Sequence, residues 1–204
     1  ESGNQAFQVL YHILTSNNYD EATVTRALRA ASSWTQIGGF ELINFPDLIE
    51  TLIKYTSKAE LCYLAIEVIF FYFRQSNISK VLSEGIKYSE YPGEFVKASI
   101  EGKSISLPDN AKISLQKIIH LFHEIKSANK DLSTLPAAYE LNELAVNIAT
   151  SFNLIILENA DYFKTLMEVL LLYTANKKRQ ISSNTFSYWS LLKNEMNNSA
   201  ELAQ

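Results

Sequence analysis

The chain has 204 residues, 47% of them hydrophobic and 20% charged, and its 18 basic and 22 acidic residues leave a net charge of −4. That is enough for one large or two small domains with real cores, and the mildly acidic balance, with no basic tail, excludes a whole-chain nucleic-acid footprint. Six glycines and four prolines are few for this length, so long elements joined by short connections are expected, and that favours helices.

The chain opens on "ESGNQAF" with no initiating methionine and reads as a fragment of a longer protein. The first clear element runs from Asp20 to Ile37. Val24, Ala27, Leu28, Ala31 and Trp34 recur at helical spacing, while Arg26, Arg29, Ser33 and Gln36 take the opposite side. Asp20 fits an N-cap, and Gly38 stands where a left-handed C-cap residue is wanted. A phosphate-binding glycine pair would precede a helix; Gly38-Gly39 follow one, so they read as a helix stop.

"NFPDLIETLIKYTS" predicts a second helix with Pro46 in its first turn, an apolar side of Phe45, Leu48, Ile49 and Leu52, and a polar side of Asp47, Glu50 and Lys54. "SKAE", Ser57 to Glu60, has the capping-box form. The helix it opens carries two apolar stripes. Leu61, Leu64, Ala65, Val68 and Tyr72 make one; Cys62, Ile66, Ile69 and Phe73 make the other. A helix apolar on two sides must be covered on two sides, as an inner member of a stacked array is. The block 61–73 is too short to cross a bilayer and holds Glu67 in its middle. Cys62 is the only cysteine, so no disulfide framework forms and a reducing compartment is expected. Two glycosylation patterns, at Asn77 and Asn197, are discounted because no secretory leader is seen.

Residues 76–84 read as a weak helix and 85–110 as an inserted loop, since three of the six glycines and Pro92 fall between Gly85 and Gly102. A regular stripe of Leu115, Ile118, Ile119, Phe122 and Ile125 then predicts a helix to residue 128. Thr134-Leu135-Pro136 starts another, extending to residue 158 with Leu141, Leu144, Ala145, Ile148 and Phe152 in phase. Asn159 caps "ADYFKTLMEVLLLYT", and after "NKKRQ" the last helix spans 180–197. Alternating runs bounded by turn residues and Asn-Gly or Asp-Gly hairpins are missing. The fold class is all-α.

The longer helices begin near residues 20, 57, 136 and 179, at steps of about 37, 79 and 43, the middle step holding the insertion. Pairs recurring at about 40 residues are the signature of a HEAT-type α-α superhelix. About four to five pairs are expected, as a single segment over residues 1–204.

Three stretches carry a family resemblance. "RALRAASSWTQIGGFELI" resembles the mid-chain helix of karyopherin-β nuclear transport receptors of the importin-13 and transportin-3 branch, in which a helix of small residues ends in a Ser-Trp pair. "ELAVNIATSFNLIILEN" is similar to a later helix of those proteins, and "SSNTFSYWSLL" to a repeat helix with an aromatic-Trp pair. Order and spacing agree over most of residues 20–197. The insertion around 76–110 has no counterpart in the family, a regular Asp/Arg ladder is not seen, and the family's Ran-binding N-terminal repeats are not in this chain.

The resemblance implies a curved surface lined by the second helix of each pair. By it, Asp47, Glu50, Asp161 and Glu168 face inward and would attract Arg- and Lys-rich or Arg/Ser-rich cargo. Ordinary solvated charge is the competing reading for each. The intact receptor would also meet the GTPase Ran and nucleoporins and shuttle between cytoplasm and nucleus. Direct nucleic-acid binding and membrane insertion are not expected.

Other features read more plainly. Trp34 and Trp189 lie on or beside apolar stripes and are expected in the core, not as ligand platforms. "HLFHE", residues 120–124, matches neither HExxH nor HxxEH, and its His120, His123 and Glu124 fall off the stripe, on a solvated face. "NKKR", 176–179, reads as a basic turn, with a localisation signal or anion patch as the sharper alternative. Nucleophile elbows and Walker loops are not found. No catalytic residue, cofactor or metal is therefore assigned. The function expected is cargo binding in a nuclear transport receptor; the alternatives are a HEAT scaffold unrelated to transport, a helical accessory domain of an enzyme and, last, a helical enzyme.

Overall fold

The computed structural model describes residues 2–16, 18–37, 45–75, 109–129, 131–135 and 137–202. Every regular element among them is helical: α1 (Ser2–Thr15), α2 (Glu21–Ile37), α3 (Pro46–Tyr55), α4 (Ala59–Gln75), α5 (Asp109–Ala128), a 3-10 turn (Leu132–Thr134), α6 (Ala138–Ser151), α7 (Asn153–Glu158), α8 (Ala160–Thr174), α9 (Arg179–Asn184) and α10 (Phe186–Leu202).

The helices stack in two rows. In one, α1 packs on α3, α3 on α5 and α5 on α8; in the other, α2 packs on α4, α4 on α6 and α6 on α10. Contacts between α1 and α2, α3 and α4, and α6 and α8 join the rows. One continuous apolar core runs between them from Phe7 to Tyr188. The chain is thus an all-α array of repeated helix pairs. Since α4 packs directly on α6, the long central step from residue 57 to 136 is one step of its row.

Local chemistry explains most boundaries. α1 is not among the elements expected above, although Phe7, Leu10, Tyr11 and Leu14 recur at helical spacing. It buries Phe7 and Leu14, and Tyr55 of α3 donates to its Leu14 carbonyl at 2.8 Å, one of the terminal carbonyls that the helix itself leaves unpaired. Asp20 caps α2, its Oδ1 accepting the Thr23 N–H at 2.7 Å. Val24, Ala27, Leu28 and Ala31 are buried as the spacing predicts, and Trp34 is half-buried against the core. Pro46 stands in the first turn of α3. Both stripes of α4 are covered, with Leu64 alone half-buried. The expected C-cap at Gly38, the weak helix at 76–84 and most of the 85–110 insertion lie outside the described residues; the insertion's last two positions, Asp109 and Asn110, already belong to α5.

Three expectations need correction. The capping box at Ser57 does not form. Ser57 Oγ donates back to the Lys54 carbonyl at 2.7 Å, serving the end of α3, and α4 opens on the Lys58 carbonyl, which accepts from Leu61 and Cys62.

The helix expected over 134–158 is interrupted twice. Residues 132–134 form the 3-10 turn, and Ala137 takes a left-handed conformation (φ 57°) that bars it from a right-handed helix. At Phe152 (φ −113°, ψ 19°) α6 gives way to α7. There the buried Phe152 ring lies edge-on to Phe73 of α4, with centroids 5.8 Å apart.

The last helix is two, broken at Thr185. Its buried hydroxyl turns inward to the Ser182 carbonyl and to Thr174, and such side-chain bonds to a preceding carbonyl bend helices. Asn159 caps α8 as expected, accepting from the Asp161 and Tyr162 N–H groups at 3.1 Å.

Candidate functional site

The four carboxylates singled out from the sequence lie on the α1–α3–α5–α8 row: Asp47 and Glu50 on α3, Asp161 and Glu168 on α8. Each pair shares a helix face, three and seven residues apart. The structure does not bring the two pairs together. It places α5 between them.

Three of the four are engaged by a neighbouring helix. Asp47 Oδ2 accepts from the Tyr11 phenol of α1 at 3.4 Å. Burial and the Asp47 charge beside it hold the Tyr11 hydroxyl above its ordinary pKa. Glu50 accepts from Lys117 of α5 at 3.0 Å and lies 3.2 Å from Lys54 on its own helix. The hydrogen bonds from Lys117 and Lys54 hold its carboxyl below the usual range. Glu168 accepts from Lys126 of α5, and that bond, with the nearby charges of Lys126, Lys164 and His123, depresses its pKa in the same way.

Asp161 differs. It is exposed in the first turn of α8, where negative charge complements the helix dipole. Of the four, Asp47 and Asp161 have no ion-pair partner among the described residues.

The partners Tyr11, Lys117 and Lys126 were not read as site residues. Lys117 stands 67 residues from Glu50, and Lys126 stands 42 from Glu168. Local periodicity carries no signal at that separation, and only the row geometry joins them. The result is a face of alternating charge and not an acidic groove.

The histidines of "HLFHE" lie on a solvated face as their spacing implies, while Trp34 and Trp189, expected in the core, are half-buried against it. His120 Nε2 lies 3.3 Å from Glu124 Oε1, one turn apart and exposed, and His123 is exposed beside them. Among the described residues no three His, Cys, Asp or Glu side chains are grouped to hold a metal. Trp189 is half-buried and donates its indole N–H to Thr174 at 2.8 Å. Asn176 to Lys178 of "NKKR" form the turn between α8 and α9, with Arg179 opening α9, and Asn176 Oδ1 accepts the Lys178 N–H at 2.8 Å. Cys62 is buried, and burial pushes its thiol pKa up, away from the reactive thiolate. No described helix is long and apolar enough to cross a membrane.

Comparison of the chain with protein-family models, with curated proteins and with solved structures finds no match.

Proposed function

We propose that the chain is a protein-binding segment of an importin-type nuclear transport receptor, built of HEAT-type pairs, with cargo seated on the α1–α3–α5–α8 row. One observation supports this reading most. The stretches that resemble karyopherin-β helices fall, over their described residues, on α2, on α6 with α7, and on α9 with α10, and of these α2, α6 and α10 belong to the opposite row. The resemblance thus touches three members of one row, and the other row is left to meet a partner.

The mechanism is binding and not chemistry. A cargo rich in Arg or Lys is drawn by Asp47 and Asp161, while Glu50 and Glu168 already hold lysines and contribute chiefly by shaping the surface. Ran and nucleoporins act on the intact receptor, which moves between cytoplasm and nucleus; RanGTP binding elsewhere would be coupled to cargo release. The competing reading is a HEAT scaffold without a transport role, and the engagement of three of the four carboxylates by neighbouring helices favours it.

The test is capture of the full-length protein with its cargo, followed by RanGTP or RanGDP. Release of cargo by RanGTP alone supports the transport reading. An equal response to both nucleotides, or none, leaves the scaffold.

A further inference from the structure

We propose that α5 is a salt-sensitive strut in its row: Lys117 and Lys126 tie it to α3 and α8 through Glu50 and Glu168, and loss of both ties lets the row lengthen while the core stays closed. The inference holds for a transport receptor and for a scaffold alike.

Lys117 and Lys126 are nine residues apart, which on a helix of 100° per residue puts them on opposite flanks, about 14 Å apart along the axis. One therefore reaches α3 and the other α8. Across to the other row, α5 is joined by a buried hydrogen bond, Tyr72 Oη to Ser114 Oγ at 2.8 Å. Its main packing lies along its own row, against α3 and α8. Its spacing to those two helices is thus the geometry that the two ties control.

The ties can be broken without unfolding the chain. The Lys117 and Lys126 side chains are 30% and 29% exposed, and the glutamates are 52% and 36% exposed. Ion pairs so placed are individually weak and screened by salt, the Debye length falling from about 10 Å at 0.1 M to about 3 Å at 1 M. Beneath them Leu115, Ile118, Ile119 and Phe122 stay buried. Along the other row α2, α4 and α6 bury alanines, among them Ala27, Ala31, Ala65 and Ala145, and such packing has no charge for salt to screen. A change of length in one row against a fixed second row alters the pitch of the array.

The test places spin labels on Ser57→Cys and Asp161→Cys, both exposed positions outside the two ties, and reads their separation by pulsed electron resonance. The buried native Cys62 is left in place. Between about 0.1 M and about 1 M NaCl the separation should lengthen by on the order of 1–2 Å, the size of helix shifts at packed interfaces. With Lys117→Met and Lys126→Met added, it should be long at low salt and indifferent to salt. Exchanging the charges of both pairs (Glu50→Lys with Lys117→Glu, Lys126→Glu with Glu168→Lys) should restore the short separation and its salt response. A separation that ignores both salt and the lysine substitutions, with helical circular dichroism unchanged, overturns the proposal. Should the lysine variants fail to fold, the salt series on the doubly labelled protein decides alone.

Discussion

Trp189 of α10 donates its indole N–H to the Thr174 hydroxyl, at 2.8 Å, at the end of α8, and the same hydroxyl meets Thr185 at 2.9 Å. The bend between α9 and α10 is thereby held to the helix preceding it. Tyr188, the preceding residue, is fully buried and donates to Asn153 of α7 at 3.2 Å. Asn142 of α6 reaches the Ile181 carbonyl at 2.7 Å. The last helices join the array through directed polar bonds as well as apolar packing, and this fixes their register. Thr174→Val keeps the shape and removes the hydroxyl, leaving the indole N–H without this acceptor. The expected loss is about 1–3 kcal/mol, read as a lower denaturant midpoint at unchanged slope. Trp189→Phe should then cost less in the Thr174→Val background than alone; equal costs would show that the bond contributes nothing.

Tyr72 and Ser114 present a second buried pair, both fully enclosed and 2.8 Å apart. Tyr72→Phe strands the Ser114 hydroxyl and Ser114→Ala strands the phenol, so each should destabilise by about 1–3 kcal/mol. The double variant removes both polar groups and should fall short of the sum by about 0.5 kcal/mol or more. Urea unfolding of the four proteins measures this, and strict additivity would contradict the bond's importance.

The sequence is most legible where apolar periodicity runs uninterrupted. The stripes of α2, α4 and α5, the N-caps Asp20 and Asn159, and Pro46 at the head of α3 all stand as the spacing implies. Reading failed where a local cue was answered from elsewhere. Ser57 has the form of a cap, but the end of α3 takes its hydroxyl. Residues 134–158 and 180–197 keep helical phase straight through Phe152 and Thr185, because a bend preserves the stripe on either side of it. Glu50 and Glu168 read from the sequence as exposed charges, yet the lysines that engage them, Lys117 and Lys126, come from a helix far along the chain. Periodicity describes one helix face; it does not say which helix lies opposite.

Cap substitutions separate the two kinds of serine-like start signal. Asn159→Ala removes the acceptor of two helix N–H groups and should cost about 1 kcal/mol, and Asp20→Ala should cost a similar amount. Ser57→Ala deletes only a bond to the Lys54 carbonyl and should stay within about 0.5 kcal/mol, as exposed substitutions do. Thermal unfolding of the three variants checks the order. A Ser57→Ala loss as large as that of Asn159→Ala would reinstate the capping box.

Buried phenols set the alkaline limit of stability. Burial raises the pKa of Tyr55, Tyr72 and Tyr173 above the ordinary value of 10.0, and Tyr173 is raised furthest. The folded chain therefore holds these protons to higher pH than the unfolded chain does. Their contribution is fully present below pH 10 and is lost as pH climbs toward the folded values. The exposed carboxylates act in the opposite direction. Glu50 and Glu168 have pKa values below their ordinary 4.5, so what they add is present above that value and fades as pH falls through the folded ones. Because those two are solvent-screened while the phenols are enclosed, the alkaline loss should be the steeper. Unfolding followed by circular dichroism, with tyrosinate absorbance recorded on the same samples, should show both changing together above pH 10. Tyr173→Phe should shift that transition to higher pH. Ionisation of these phenols while the helices remain folded would refute their enclosure.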